Sequence, residues 1–183
     1  MIKFKVEVKF ISPYLQAKFS DKAKEELMQD AKQSVLKEKI TEENLQWFAL
    51  SYVDDKGYYV PSIQIEGCIQ NSAKDFKLKS KRCSLKEWSK ATLFVEDEKN
   101  YLNKKKPDFL NTSYPKRKDG NRVKLIHPAF DIGTQFSFVL QCLDDDFDGK
   151  LLKQILENGG KRYACGAWRP KFGRHEIVSF EKI

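Results

Sequence analysis

Residues 2–10 alternate strictly between apolar and charged side chains. The apolar positions are Ile2, Phe4, Val6, Val8 and Phe10, and the positions between them are Lys3, Lys5, Glu7 and Lys9. Since successive side chains of a β-strand point to opposite faces, this pattern predicts a strand with one face in the core and the other in water. A sheet built around such a strand is covered on one side only, which favours antiparallel pairing.

The rest of the chain mixes helical and strand patterns without a regular strand–helix–strand repeat. We predict helices over 21–39, from 62 onward and over 149–158, and strands over 45–53, 58–60, 91–96, 123–126, 134–142 and 175–180. Asp148 is predicted to cap the last helix and Gly159 to end it. Amphipathic helices can cover one face of an antiparallel sheet, so we predict an α+β, ferredoxin-like (RRM-like) fold. The single domain spans 1–183, with long basic insertions at about 77–90 and 97–122.

Charge and cysteine usage narrow the classes of function. The formal net charge of +8 favours an acidic partner, of which nucleic acid is the commonest. The four cysteines form no CxxC pair, and the two histidines complete no metal-ligand spacing. We therefore expect reduced thiols in a cytoplasmic protein with no metal and no cofactor. The N-terminus has no unbroken apolar run, so neither a signal peptide nor a membrane partner is predicted.

The segment 159–174, called the glycine-rich loop below, carries the strongest functional signal. It places four glycines, five cations and three aromatic residues in sixteen positions. The residues predicted to contact nucleic acid here are Lys161, Arg162, Tyr163, Trp168, Arg169, Lys171, Phe172 and Arg174. Cations neutralise phosphates and flat rings stack on unpaired bases, so a polyanion is one interpretation. The other is a solvated connector whose glycines cap the preceding helix.

The insertion 97–122 is a second candidate surface. Its cations are interleaved with Tyr101, Phe109 and Tyr114, and those predicted to follow phosphates are Lys104, Lys105, Lys106, Lys116, Arg117 and Lys118. Loops of this length are usually functional or disordered. A solvated lysine-rich loop remains the alternative.

Four segments, in this order along the chain, resemble motifs of the RAMP proteins associated with CRISPR systems. They are Ile11–Leu15, Tyr59–Ile69, Leu93–Asp97 and the glycine-rich loop. The second is similar to the family's Pro-Gly-Ser helix start, although Glu66 and Gln70 stand where the family has lysine and arginine. The resemblance is to the backbone subunits that hold guide RNA, or to a stand-alone version carried by a phage or mobile element.

The resemblance implies a ferredoxin-like fold, RNA binding through the glycine-rich loop and basic surface, and contact with other CRISPR effector subunits. Head-to-tail assembly of several copies along a strand is also implied. Some relatives cleave target RNA with an aspartate before the Pro-Gly-Ser helix. Asp54 and Asp55 lie near that position, but a turn before Gly57 explains them better.

We expect a non-catalytic protein that binds single-stranded nucleic acid, with RNA favoured over DNA. One alternative is a metal-independent endoribonuclease, in which His175 would be the general acid or base; an exposed strand residue is the simpler interpretation of His175. Another is a phage protein that blocks a defence complex by imitating a subunit. The acidic run 144–148 is explained by a helix N-terminus without a divalent cation.

Overall fold

The computed structural model describes residues 1–18, 50–77, 85–116, 120–122 and 125–183. Its strands are β1 (Ile2–Phe10), β2 (Tyr14–Leu15), β3 (Val53–Asp54), β4 (Gly57–Pro61), β5 (Leu93–Val95), β6 (Lys99–Tyr101), β7 (Phe109–Ser113), β8 (Leu125–Phe130), β9 (Gln135–Cys142) and β10 (His175–Lys182). Its helices are α1 (Ser62–Ala73), α2 (Leu85–Thr92) and α3 (Gly149–Asn158), followed by one π-helical turn, Gly159–Tyr163. The helix predicted over 21–39, most of the strand predicted over 45–53, and Cys83 lie outside the described residues.

Four strands form the main antiparallel sheet, in the order β10-β1-β9-β5. Along the chain, its elements and the two helices packed on it follow the sequence β1, α1, β5, β9, α3, β10. This is the βαββαβ arrangement of a ferredoxin-like fold, with the first strand between the last and the third. The predicted fold class is confirmed.

The alternation in β1 becomes the two faces of this sheet. Phe4, Val6, Val8 and Phe10 are buried, and they pair with β9 and β10 on either side. Helices α1 and α3 cover that face with apolar side chains, which are Ile65, Cys68, Ile69, Leu152, Ile155 and Leu156. Burying each large aliphatic or aromatic side chain contributes about 1.5–3 kcal/mol, so this layer supplies much of the stability.

Two small sheets extend the core beside the start of α1. Their strand orders are β2-β8-β7 and β3-β4-β6. The buried Gln16 side chain joins them, since its amide donates to the Tyr59 carbonyl at 2.9 Å and accepts from the Tyr52 N–H at 2.8 Å. The Tyr14 hydroxyl donates to Gln64 Oε1 at 2.8 Å, which connects β2 to α1. These contacts fix the strand β2, on which the glycine-rich loop rests.

Several local predictions differ from the structure. The interval 97–122 was expected to be irregular but contains β6 and β7, each paired to a neighbouring strand. The last α-helix ends before Gly159 as predicted, but Gly159 has a φ of −55° and forms no left-handed cap, and the chain continues into the π-helical turn. The Asp148 cap is confirmed, because its carboxylate accepts from the Lys150 N–H at 2.8 Å.

Candidate nucleic-acid interface

The glycine-rich loop is fastened along the segment that joins β1 to β2. The Ala167 N–H donates to the Leu15 carbonyl at 2.9 Å, and the Gly173 N–H donates to the Pro13 carbonyl at 2.8 Å. The Arg174 N–H donates to the Ser12 hydroxyl, also at 2.8 Å. Each such bond contributes about 0.5–1.5 kcal/mol net. Hydrogen bonds to the rest of the protein therefore fix the conformation of the loop, which argues against the interpretation as a solvated connector.

Its glycines allow the loop to approach the protein's own backbone. A Cβ on Gly166 would lie 2.5 Å from the Leu15 carbonyl oxygen, and one on Gly173 would overlap the Cys165 carbonyl oxygen. Both glycines also have positive φ, +84° and +75°. Glycine is required at these two positions by packing within the protein and by the backbone conformation, and not by contact with a ligand.

Two residues with side chains also adopt left-handed backbone conformations in this loop. They are Ala164, at φ +58°, and Trp168, at φ +57°. Such conformations cost about 1–3 kcal/mol each and persist where the surroundings fix them. The Trp168 side chain is 43% exposed, and its ring forms a T-shaped pair with His127 at 6.2 Å between centroids.

An open groove of about 680 Å³ lies between the loop and the end of α1. Its lining residues are Asn71, Lys74, Arg162, Tyr163, Gly166, Ala167, Trp168, Arg169 and Pro170. Three of these carry positive charge and two present aromatic rings. The groove therefore combines the two kinds of group that bind phosphates and unstacked bases.

Asp75, the residue after Lys74, organises one wall of the groove. Its carboxylate accepts from the Asn158 amide at 3.0 Å and from the Tyr163 hydroxyl at 2.8 Å, and it lies 4.0 Å from the Arg162 guanidinium. These partners, the Asn158 amide first, hold the pKa of Asp75 below its ordinary value. The Lys74 ammonium lies 4.8 Å from the centre of the Tyr163 ring. Three cations against one carboxylate leave the groove positive.

The predicted binding residues do not all meet in this groove. Lys161, Lys171, Phe172 and Arg174 belong to the same loop but do not line the groove. Asn71 and Lys74 do line it, and sequence reasoning missed them, because no local pattern links the end of α1 to a loop about ninety residues later.

The cations of the insertion 97–122 form no part of the groove lining either. Lys104 is paired with Asp108 at 2.9 Å, whereas Lys105 and Lys106 are exposed. Lys116 is exposed, and its backbone forms an isolated antiparallel β-bridge with Arg122. Arg117 and Lys118 lie outside the described residues. A role of this set in binding stays a prediction.

Asp54 is engaged in the hairpin between β3 and β4. One carboxylate oxygen accepts from the Lys99 ammonium at 2.8 Å and from the Tyr101 hydroxyl at 2.9 Å, and the other accepts from the Lys56 N–H. The Lys99 hydrogen bond, before the others, lowers the pKa of Asp54 to about 2. Because its carboxylate is occupied by these contacts, Asp54 stabilises the hairpin turn and the neighbouring strand. This agrees with the interpretation of Asp54 as a turn residue and not as a catalytic one.

Both described histidines are buried. His175 is 6% exposed, its ring lies edge-on to Phe10, and burial lowers its pKa. The expectation of an exposed strand residue was wrong, because the side chain points into the core between β10 and α1. Burial also lowers the pKa of His127, which lies beside Trp168.

The face of the main sheet opposite α1 and α3 has mixed charge. Lys3 pairs with Glu96 at 2.6 Å, and Lys9 approaches Glu176 at 3.8 Å. On β9 this face carries Gln135, Ser137, Val139 and Gln141. Within the described part of the chain, the two central strands place no aromatic side chain on this face, unlike the central strands of an RRM.

The comparisons with known proteins support the fold. No family model matches the sequence, and no curated protein matches it. The structure is similar to a chain in the cryo-EM structure of the type III-B Cmr-beta bound to cognate target RNA, with a TM-score of 0.61 and 14% sequence identity. The match covers 100% of this chain and 60% of that one. The fold is thus one found in CRISPR-associated proteins.

A second similar structure is the crystal structure of a CRISPR protein from Archaeoglobus fulgidus, at a TM-score of 0.44 and 15% identity. That match covers 100% of this chain and 64% of the other, so the chain spans less than two thirds of the length of both. Among the described residues, no helix has the length and apolar character needed to cross a bilayer.

Proposed function

We propose that this protein binds single-stranded nucleic acid in the groove between α1 and the glycine-rich loop, that RNA is preferred over DNA, and that the strand is not cleaved. The observation that carries the proposal is the composition of the groove. Lys74, Arg162 and Arg169 surround the rings of Tyr163 and Trp168 on a fixed backbone. A backbone held before binding loses little entropy when a strand docks.

The geometry favours a strand over a small anionic ligand. The groove is open and its cations come from separate elements, α1 and the loop, so they can follow successive phosphates. Trp168 is exposed enough to accept a base on its face, and a base stacked in this way contributes about 1–3 kcal/mol. The preference for RNA rests on the fold shared with a chain whose complex holds target RNA.

Binding without cleavage is supported by the state of the candidate catalytic groups. His175 is buried beneath the loop, and Asp54 is paired with Lys99 and Tyr101. We further propose that the protein works in the cytoplasm beside CRISPR effector subunits, either as a working component that assembles head-to-tail along the strand or as an imitator that blocks such a complex.

The test is a titration of fluorescently labelled single-stranded RNA, single-stranded DNA and duplex RNA of one sequence, followed by anisotropy and by gels for cleavage. We expect tight, salt-dependent binding of the single strands, tightest for RNA, with every strand intact. The double variant Arg162→Ala/Arg169→Ala should bind weakly, whereas Lys5→Ala, which removes a cation from the opposite sheet face, should bind as the wild type does. Equal binding by both variants would place the interface elsewhere, and cleaved strands would establish an enzyme.

A further inference from the structure

Three metal-ligating side chains from distant parts of the chain converge beneath the glycine-rich loop. Cys68 comes from α1, Cys165 from the loop and His175 from the first position of β10. Their ligand atoms, two sulfurs and one ring nitrogen, all lie within 4.8 Å of one another, and all three residues are buried. The spacing of 97 and 10 residues between them explains why no sequence motif revealed the cluster.

The backbone around the cluster is shaped to let these side chains meet. A Cβ on Gly159 would lie 3.2 Å from the Cys68 sulfur, and a Cβ on Gly160 would overlap the His175 carbonyl oxygen and lie 2.8 Å from His175 Cδ2. Glycine at both positions therefore allows the π-helical turn to pass close to Cys68 and His175, which brings the end of the chain against α1.

The hydrogen bond of the His175 ring to the backbone is compatible with metal ligation. Its Nδ1 lies 3.1 Å from the Gly173 carbonyl oxygen, a distance at which an Nδ1–H donates. That assignment leaves the lone pair on Nε2. Histidines that bind metals typically donate their other ring N–H to a backbone carbonyl in this way.

We propose that Cys68, Cys165 and His175 bind one zinc ion. Thiolates and neutral imidazoles are ligands that zinc prefers. Two thiolates also balance the charge of a dication, so the complex is neutral and its burial carries a smaller desolvation penalty. Binding releases the two thiol protons to solvent. Three protein ligands leave one of the four tetrahedral positions for a water molecule.

Such an ion would hold both walls of the groove. Cys165 and His175 stand at either end of the segment that carries Trp168 and Arg169, and Cys68 lies on α1 one turn before Asn71. The zinc site stands independently of nucleic-acid binding, because its test measures the metal directly.

The first measurement is made on the wild-type protein, purified without chelators and reduced. We expect about one equivalent of zinc by elemental analysis after dialysis against zinc. Cobalt(II), added to the metal-free protein, should produce a thiolate-to-cobalt charge-transfer absorbance that saturates at one equivalent and disappears when zinc is added. An absent charge-transfer band would overturn the proposal without any variant being made.

Variants then identify the ligands. Cys68→Ala and Cys165→Ala should each lose the cobalt spectrum, and the thermal midpoint of these variants should no longer rise with zinc. Cys142→Ala is the matched control, since Cys142 is buried in the sheet and its thiol donates to the Asp144 carbonyl at 3.3 Å. Loss of the spectrum in Cys142→Ala alone would overturn the assignment. A Cys68–Cys165 disulfide, sought by peptide mapping of the wild-type protein purified without reductant, would overturn the metal site.

Discussion

Replacing Arg169 with alanine should change how nucleic-acid binding responds to salt. Arg169 is exposed in the groove, and the structure gives it no carboxylate partner among the described residues. For a single strand, the logarithm of the binding constant falls by about 0.7 per logarithm of salt concentration for each neutralised phosphate. With Lys74, Arg162 and Arg169 each neutralising one phosphate, the groove accounts for a slope of about −2.1, which Arg169→Ala should reduce to about −1.4.

The same arithmetic predicts a ratio that can be measured directly. The binding constant of the wild type exceeds that of Arg169→Ala by a ratio that depends on salt. Raising the salt concentration from 50 to 200 mM should lower this ratio by about 2.6-fold, because the variant makes one phosphate contact fewer. Arg162→Ala should show a smaller reduction, because Asp75 lies 4.0 Å from the Arg162 guanidinium and already neutralises part of its charge.

Anisotropy titrations of labelled single-stranded RNA at four or more salt concentrations measure these slopes. Lys5→Ala is the control for a general change of net charge, and its slope should equal that of the wild type. If Arg169→Ala lowers affinity equally at all salt concentrations, Arg169 contributes packing and not a phosphate contact. If neither affinity nor slope changes, the groove is not the binding site.

Three further predictions concern single residues. Trp168→Ala should weaken RNA binding by about 1–3 kcal/mol in the same titration while leaving the salt slope unchanged, since a stacked ring neutralises no phosphate; an unaltered affinity would contradict stacking. Gly173→Ala should abolish RNA binding and lower the thermal midpoint, because the new Cβ would overlap the Cys165 carbonyl at a φ of +75°; a fully stable, binding-competent variant would show that the loop needs no such contact. Asp54, whose pKa is lowered from 3.8 to about 2, adds stability that is present above pH 3.8 and is lost as the pH falls toward 2. Asp54→Asn should therefore flatten the dependence of unfolding free energy on pH in urea titrations between pH 5 and 2, and an unchanged dependence would mean that the pairing with Lys99 contributes nothing.

Glu66 illustrates how far a resemblance in sequence can be carried. It stands where the motif that this segment resembles has a lysine, which leaves the N-terminal part of α1 without that cation. In the structure its carboxylate accepts from the Val95 N–H at 3.0 Å and so ties β5 to α1. The position has a structural role here, and the cationic groove is built at the other end of α1, at Lys74.

The sequence by itself determined those features that depend on neighbouring residues. The alternation in β1 identified its buried face, Asp148 identified the start of α3, and the order of strands and helices indicated the ferredoxin-like fold. The cations and rings of the glycine-rich loop were also visible. Periodicity and caps report on local geometry, so a single chain of letters is sufficient for them.

Only the tertiary structure decided what lies beside the loop. Lys74 enters the groove, His175 is buried, and Cys68 meets Cys165 because the pairing of β1 with β10 brings the end of the chain against α1. The short strands β6 and β7 likewise depend on partners elsewhere in the chain. Such contacts join residues tens of positions apart, and their free energy comes from packing and strand pairing that no local pattern encodes.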